Sequence, residues 1–83
     1  MRIVYFAWVR EAIGLDDEVR DVPDGVETPR ALAAWLATHS AGHAAAFADM
    51  DRLRVACDQQ MTALDDPIGT TREIAFFPPV TGG

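Results

Sequence analysis

The residues that could most clearly take part in a reaction lie at the end of the sequence, where Gly82 and Gly83 follow Pro78 and Pro79. The two prolines are stiff and extended and cannot donate to a sheet, so the sequence predicts that a free, flexible tail leaves the folded domain here. From Pro79 to Gly83 this tail can reach on the order of 17 Å, at about 3.3–3.6 Å per residue. Because glycine has no side chain, the tail can thread a narrow channel and present its terminal carboxylate, which is a poor electrophile until it is activated.

The other residues that could bind a metal or act in catalysis do not form a recognisable site. His39 and His43 have a spacing that is used for zinc on helices, but Gly42 lies between them and the sequence offers no cysteine or third histidine nearby. The acidic residues at 16–17 and 49–51 lack the spacing of a calcium loop. The sequence shows no nucleophile beside an obvious base and no phosphate-binding loop. We therefore predict that this chain binds no metal and no cofactor.

The 83-residue chain is acidic, with 13 Asp and Glu against 7 Arg and no Lys. An acidic body repels phosphate backbones, which argues against nucleic acid as a partner and favours a basic protein surface. Apolar runs fall short of the roughly 20 residues that span a membrane, so we expect no membrane association and a cytoplasmic location. The single cysteine, Cys57, shares a strand face with Leu53 and Val55 and is expected to be a small buried residue.

The hydrophobic pattern predicts an α+β domain over residues 1–79 in the order β-β-α-β-(β)-β, with residues 80–83 as the tail. Thr28 is a good N-cap and Pro29 suits the first helical position, so the main helix begins there and runs for about three turns until Gly42. The first and last strands are the most hydrophobic and are expected to pair at the centre of the sheet. The remaining predicted elements are strands at 2–8, 17–22, 52–58 and 73–77, a short strand around Met61, a helical turn at 9–14 closed by glycine, and a short helix at 43–48.

Two phenylalanines are the strongest candidates for a partner surface. Phe6 and Phe77 alternate along their strands with the expected core residues Tyr5 and Phe76, so they should share the sheet face that points away from the main helix. Met61 is expected to join them from the short fourth strand. Large exposed apolar groups usually mark an interface. The alternative is that both phenylalanines belong to the core.

The end of the chain resembles a known family. Residues 76–83, Phe-Phe-Pro-Pro-Val-Thr-Gly-Gly, look like the tail of the MoaD family, the small subunits of molybdopterin synthase. Residues 6–11 resemble that family's first strand and turn, and residues 54–59 resemble its middle segment more loosely. Cys57-Asp58-Gln59 stands where many members have Val-Asn-Gln, and residues 70–73 replace the usual acidic, glycine-containing turn.

The resemblance implies a ubiquitin-like β-grasp fold and a sulfur carrier. An ATP-using, E1-like adenylyltransferase would convert Gly83 to an acyl adenylate, and a persulfide sulfur donor would displace AMP to leave a thiocarboxylate. The tail would then enter the large subunit of a heterotetrameric molybdopterin synthase, which carries the catalytic side chains, and sulfur would pass to cyclic pyranopterin monophosphate. The implied site residues are Gly83 for activation, Gly82 for tail threading, and Phe6, Met61, Phe77, Pro78, Pro79, Val80 and Thr81 for partner binding.

Three alternatives remain open on the sequence alone. The first is another β-grasp sulfur carrier, such as the thiamine-pathway type, whose tail also ends in Gly-Gly. The second is a ubiquitin-like modifier that is joined to target lysines. The third is a plain binding module without terminal chemistry. Only this last alternative does not need a free Gly83.

Overall fold

The computed structural model describes residues 1–79. These residues form a five-stranded mixed sheet with three short helices, which confirms the predicted α+β class. The strands are β1 (Arg2–Tyr5), β2 (Asp17–Val19), β3 (Arg54–Cys57), β4 (Gln60–Thr62) and β5 (Glu73–Phe77). The helices are α1 (Ala7–Ile13), α2 (Pro29–Leu36) and α3 (Ala41–Ala46), and a 3₁₀ turn at Met50–Arg52 precedes β3.

The strands lie in the order β2-β1-β5-β3-β4, so the first and last strands of the chain are neighbours. β1 and β5 run parallel, with Ile3 opposite Ile74 and Tyr5 opposite Phe76, whereas the other neighbouring strands are antiparallel. The predicted central pairing is confirmed, as is the mixed sheet of the β-grasp fold. Because β5 is the middle strand, the chain that follows Phe77 departs from the centre of the sheet rather than from an edge.

One face of the sheet carries the hydrophobic core. Tyr5, Val55, Ile74 and Phe76 are buried on this face, and the Phe76 ring packs against Phe47 with centroids 5.0 Å apart. The helices contribute the buried residues Val9, Leu32, Leu36 and Ala46. Full burial of a large apolar side chain is worth about 1.5–3 kcal/mol, so a one-residue slip of β5 would expose its core set and is strongly disfavoured.

The first strand is shorter than predicted, because β1 ends at Tyr5 and Trp8 lies in α1. Ala7 adopts a φ of 53°, in the left-handed region, and this turn redirects the chain from the sheet into the helix. Trp8 consequently packs partly against the core instead of extending the strand face of Phe6. The predicted closure by glycine is confirmed, since Gly14 caps α1 with a φ of 88° and donates to the Arg10 carbonyl at 2.7 Å.

Two other strands are also shorter than predicted. β2 stops at Val19, and the turn signals at residues 23–25 follow after a short irregular segment. β3 begins at Arg54 because the preceding residues form the 3₁₀ turn, whose N-cap Asp49 accepts the Asp51 backbone N–H at 3.2 Å. The alternating pattern in the sequence did not distinguish a strand from a tight turn that buries Leu53.

The main helix begins as predicted but is shorter. Thr28 caps α2 by accepting the Ala31 N–H at 3.1 Å, and Pro29 occupies the first turn. The helix ends at Leu36, and Ser40 then caps α3 by accepting the His43 N–H at 3.0 Å. Gly42 therefore lies inside α3 rather than interrupting α2, which corrects the prediction. A strong cap two residues upstream, at Ser40, outweighs the low helix propensity of glycine.

Gly42 is required by the close approach of α3 to α1. A Cβ atom at this position would lie 2.4 Å from the Ala12 carbonyl oxygen, which belongs to the backbone of α1. Helix propensity alone predicts that Gly42→Ala stabilises the protein by about 1 kcal/mol. We expect the opposite sign, a loss of about 1–3 kcal/mol, because the two helices must move apart. Urea denaturation measures the change, and Ala44→Gly, at an exposed position of α3, gives the propensity term by itself. A stabilised Gly42→Ala protein would contradict the packing argument.

The turn between β3 and β4 explains one departure from the family pattern. Asp58 and Gln59 have φ values of 48° and 69°, as a two-residue hairpin turn of the primed type requires. The Asp58 Oδ1 atom accepts the backbone N–H groups of Arg72 and Glu73, each at 3.0 Å. Asparagine offers the same acceptor and also tolerates positive φ, so aspartate at this position preserves the link between the hairpin and β5.

Candidate functional site

The second face of the sheet holds a groove of about 850 Å³. We call this side the open face and define it by Val4, Phe6, Ala56, Met61, Ala75 and Phe77. The small side chains of Ala56 and Ala75, which are paired across β3 and β5, form its shallow floor. The groove continues along Phe77 to Pro78 and Pro79. The open face is therefore continuous with the point at which the chain leaves the sheet.

The open face brings together the three apolar residues that the sequence singled out. Phe6 is 48% exposed and Met61 is 67% exposed, and Phe77 is half-buried. Met61 lies opposite Ala56, which in turn lies opposite Ala75, so the register puts Met61 on the same face as Phe77. Phe6 is consequently not a core residue, which removes that alternative for it, and Met61 is exposed on the open face as predicted.

The two ends of the open face differ in polarity. At the end remote from Phe77, Arg2 Nε lies 2.7 Å from Asp17 Oδ2 and Arg2 Nη1 lies 2.9 Å from Glu73 Oε1. At the other end β5 finishes at Phe77, and a half-buried Pro78 and an exposed Pro79 follow. Proline has no backbone N–H, so neither residue can continue the ladder, as predicted.

The residues predicted to carry the chemistry follow directly. Val80, Thr81, Gly82 and Gly83 lie outside the described residues, and so do the expected free tail and its terminal carboxylate. The described structure fixes where this segment starts, after Pro79 at the Phe77 end of the open face.

A buried polar network that the sequence did not reveal lies on the opposite side of the sheet. Glu18 Oε2 accepts hydrogen bonds from the Tyr5 hydroxyl and from His43 Nε2, both at 2.7 Å, and Glu18 Oε1 accepts from Arg20 Nε at 2.6 Å. His43 Nδ1 lies 2.7 Å from Ser40 Oγ. Burial alone would raise the pKa of Glu18, but the hydrogen bonds from His43, Tyr5 and Arg20 outweigh it and hold that pKa below its ordinary value.

The contacts between Ser40, His43 and Glu18 superficially match a hydrolase triad. The Ser40 hydroxyl, however, caps α3, and the His43 ring is buried with both nitrogens engaged. We therefore assign the network a structural role, which is to join α3 to the edge strand β2. A charged residue at the middle of a short strand, facing the core, was the sequence signal that could have identified Glu18.

The network predicts a specific pH dependence of stability. A carboxylate whose folded pKa is depressed contributes stability above its ordinary pKa of 4.5, and loses that contribution as the pH falls through the lower folded value. We expect Glu18→Gln to destabilise the protein by about 1–3 kcal/mol at neutral pH, because it weakens three charge-assisted hydrogen bonds. The difference from wild type should shrink steadily below pH 4.5.

Urea denaturation at a series of pH values measures this difference, with Glu11→Gln at an exposed position of α1 as the control. If the difference in the free energy of unfolding between Glu18→Gln and wild type stayed constant from pH 7 to about 3, the charge of the Glu18 carboxylate would not contribute to stability.

The predicted metal candidates are accounted for by other contacts. His39 Nδ1 lies 3.0 Å from the Trp35 carbonyl oxygen, and His43 belongs to the network with Glu18. Within residues 1–79, groups of three or more metal-ligating side chains do not occur. Cys57 is half-buried and packs against the core, close to the predicted environment. Over the same residues, helices are too short and too polar to cross a membrane.

Comparison with known proteins extends over the whole chain. A family model described as the ThiS family matches residues 3–83. Two curated proteins, from Escherichia coli (strain K12) and Haemophilus influenzae, are 37% and 36% identical to this chain over 83 residues. In both cases the alignment covers 100% of this chain and 99% of the relative, and both relatives are named molybdopterin synthase sulfur carrier subunit.

Solved structures show the same fold. The crystal structure of SAMP1 from Haloferax volcanii is similar with a TM-score of 0.69 and 26% identity, over 99% of this chain and 97% of that one. A Pyrococcus furiosus protein named "Putative molybdopterin converting factor, subunit 1" has a TM-score of 0.72 and 24% identity, over 95% of each chain. The latter similarity supports the fold alone.

Proposed function

The chain belongs to the ThiS family, and we propose that it is the sulfur-carrier small subunit of a molybdopterin synthase. The observation that carries the proposal is the position of the Gly-Gly terminus, which follows a Pro-Pro exit from the central strand beside an apolar open face. Two full-length relatives with this name favour the molybdopterin pathway over the thiamine-pathway carrier and the protein modifier.

The proposed chemistry takes place at the Gly83 carboxylate. One carboxylate oxygen attacks the α-phosphorus of ATP on an E1-like adenylyltransferase, which releases pyrophosphate and makes AMP the leaving group. The terminal sulfur of a donor persulfide displaces AMP and forms an acyl disulfide. A thiol then supplies two electrons to cleave the sulfur–sulfur bond, which leaves a thiocarboxylate on Gly83 and a disulfide on the donor side.

The loaded tail enters the large subunit, where sulfur is transferred to cyclic pyranopterin monophosphate. Water supplies the oxygen that returns Gly83 to the carboxylate after each sulfur transfer, so two loaded carriers are consumed for one dithiolene. Acid–base and phosphate-binding groups are supplied by the large subunit, and the chain acts as an enzyme only as part of this heteromeric sulfurtransferase. ATP is used by the activating enzyme, and the cytoplasm remains the proposed location of the reaction.

The open face is the proposed docking surface for the large subunit. Phe6, Met61 and Phe77 present apolar area next to the exit of the tail, so one contact both buries this area and aims the terminus. Aromatic residues at the centre of an interface commonly dominate its binding energy. The groove lacks a convergent set of polar groups in its middle, which favours a protein partner over a small molecule.

The proposal is tested by incubating the protein with ATP, a cognate adenylyltransferase and a persulfide donor, followed by intact mass spectrometry. The expected result is a mass gain equal to the replacement of one oxygen by one sulfur, and conversion of cyclic pyranopterin monophosphate when the large subunit is added. Loading without conversion would favour the thiamine-pathway type, and conjugation to lysines of other proteins would favour the modifier. An unchanged mass would favour the plain binding module.

A further inference from the structure

The open face carries a cation at the end where the chain leaves the sheet. Arg54 is the first residue of β3 and lies opposite Phe77, the last residue of β5. Cross-strand partners point to the same side of a sheet, so the Arg54 side chain starts from the open face beside the exit. Arg54 is exposed.

Arg54 differs from most other arginines of the protein in its surroundings. Arg2, Arg10, Arg20 and Arg30 each form an ion pair with an acidic side chain. Among the described residues Arg54 forms no such pair, and its recorded hydrogen bonds run from Nη1 to the carbonyl oxygens of Leu53 (2.9 Å) and Asp51 (3.4 Å). Within residues 1–79, the open face therefore has a cation paired with carboxylates at one end and a cation without a carboxylate partner at the other.

The two backbone contacts also orient the guanidinium. They engage Nη1, whereas Nε and Nη2 form no hydrogen bond within residues 1–79. A guanidinium is planar and presents its N–H groups as a rigid fork, so that one edge matches the two oxygens of a carboxylate. The net charge of the chain is −6, so the positive guanidinium of Arg54 also distinguishes the Phe77 end of the open face from the rest of the protein surface.

We infer that Arg54 is a recognition residue that pairs with a carboxylate of the large subunit, at the mouth of the site that receives the tail. The inference rests on the proposed function and extends it to a specific contact. An ion pair at the rim of an interface steers association and sets its orientation more than it adds affinity. Arg54 thereby selects the docking orientation in which the tail faces its channel.

The test is the rate of association with the purified large subunit, measured by stopped-flow fluorescence over a range of salt concentrations. We expect Arg54→Glu to lower the association rate constant about tenfold at low ionic strength, because attraction becomes repulsion. The loss should nearly vanish at about 1 M salt, where the Debye length is about 3 Å. Arg54→Lys keeps the charge but not the fork, so its association rate should be unchanged while dissociation becomes several-fold faster.

Arg72→Glu is the matched control, since Arg72 is also exposed and immediately precedes the opposite end of β5. The same change of net charge there should alter the association rate less than about twofold. Equal losses for Arg54→Glu and Arg72→Glu, or no loss for either, would overturn the inference and leave the proposed function standing. A wild-type protein that is loaded with sulfur but never binds the large subunit would overturn both. Thermal melting checks that each variant is folded, and Arg54→Gln replaces Arg54→Glu if the latter is not.

Discussion

Removal of Gly83 should abolish thiocarboxylate formation while the protein remains folded. The proposed reaction needs a terminal glycine carboxylate that reaches the adenylylation site without a side chain, and a chain that ends at Gly82 is shorter by about 3.3–3.6 Å. The buried core cluster consists of residues between Ile3 and Phe76, so the melting temperature should not change. Intact mass spectrometry after incubation with ATP, adenylyltransferase and persulfide donor measures the loss of loading.

Extension of the chain beyond Gly83 by a bulky dipeptide should also abolish thiocarboxylate formation. The terminal carboxylate then no longer belongs to Gly83, and the added side chains do not fit a narrow channel. Thr81→Ala is the matched control, since it changes the tail but keeps Gly82 and Gly83. Loading should be retained in that variant. Sulfur found at the C-terminus of the Gly83-deleted protein would contradict the assignment of this residue.

The parts of the fold that could be predicted are those specified by local chemistry. Thr28 and Pro29 form a cap whose geometry involves only neighbouring residues, and the start of α2 was predicted correctly. The bounds of β5 were also correct, because Pro78 cannot donate to the ladder and thereby ends the strand. The alternation of Phe76 and Phe77 then fixes which ring faces the helices.

The parts that could not be predicted depend on contacts distant in sequence. The ring of His43 meets Glu18 across 25 positions, so their shared role is invisible to helical periodicity. Ala7 adopts a left-handed φ, and because this position is not a glycine, the sequence contained no signal of the turn. The ion pairs of Arg2 with two strands, and their absence at Arg54 within the described residues, follow from strand order, which pattern alone does not determine.

Phe77→Ala should weaken binding to the large subunit by more than tenfold and leave stability nearly unchanged. Phe77 is half-buried on the open face, next to the exit of the tail, so its ring is available to a partner. Truncation of an aromatic anchor at an interface costs about 2 kcal/mol or more, which exceeds a tenfold change in the dissociation constant. Isothermal titration with the large subunit and calorimetric melting measure the two quantities on the same sample.

Phe76→Ala is the matched comparison, because it makes the same truncation one residue away on the opposite face. Phe76 is 0% exposed, so this variant should lose about 3–5 kcal/mol of stability. A domain of this size has only about 4–12 kcal/mol in total, so Phe76→Ala can be partly unfolded at room temperature, and Phe76→Leu then serves as the milder variant. The folded fraction of either Phe76 variant should bind the large subunit with wild-type affinity, because Phe76 does not reach the open face. The docking assignment fails if Phe77→Ala instead lowers the melting temperature as strongly as Phe76→Ala and binds normally once folded, since the Phe77 ring would then serve the core and not the partner.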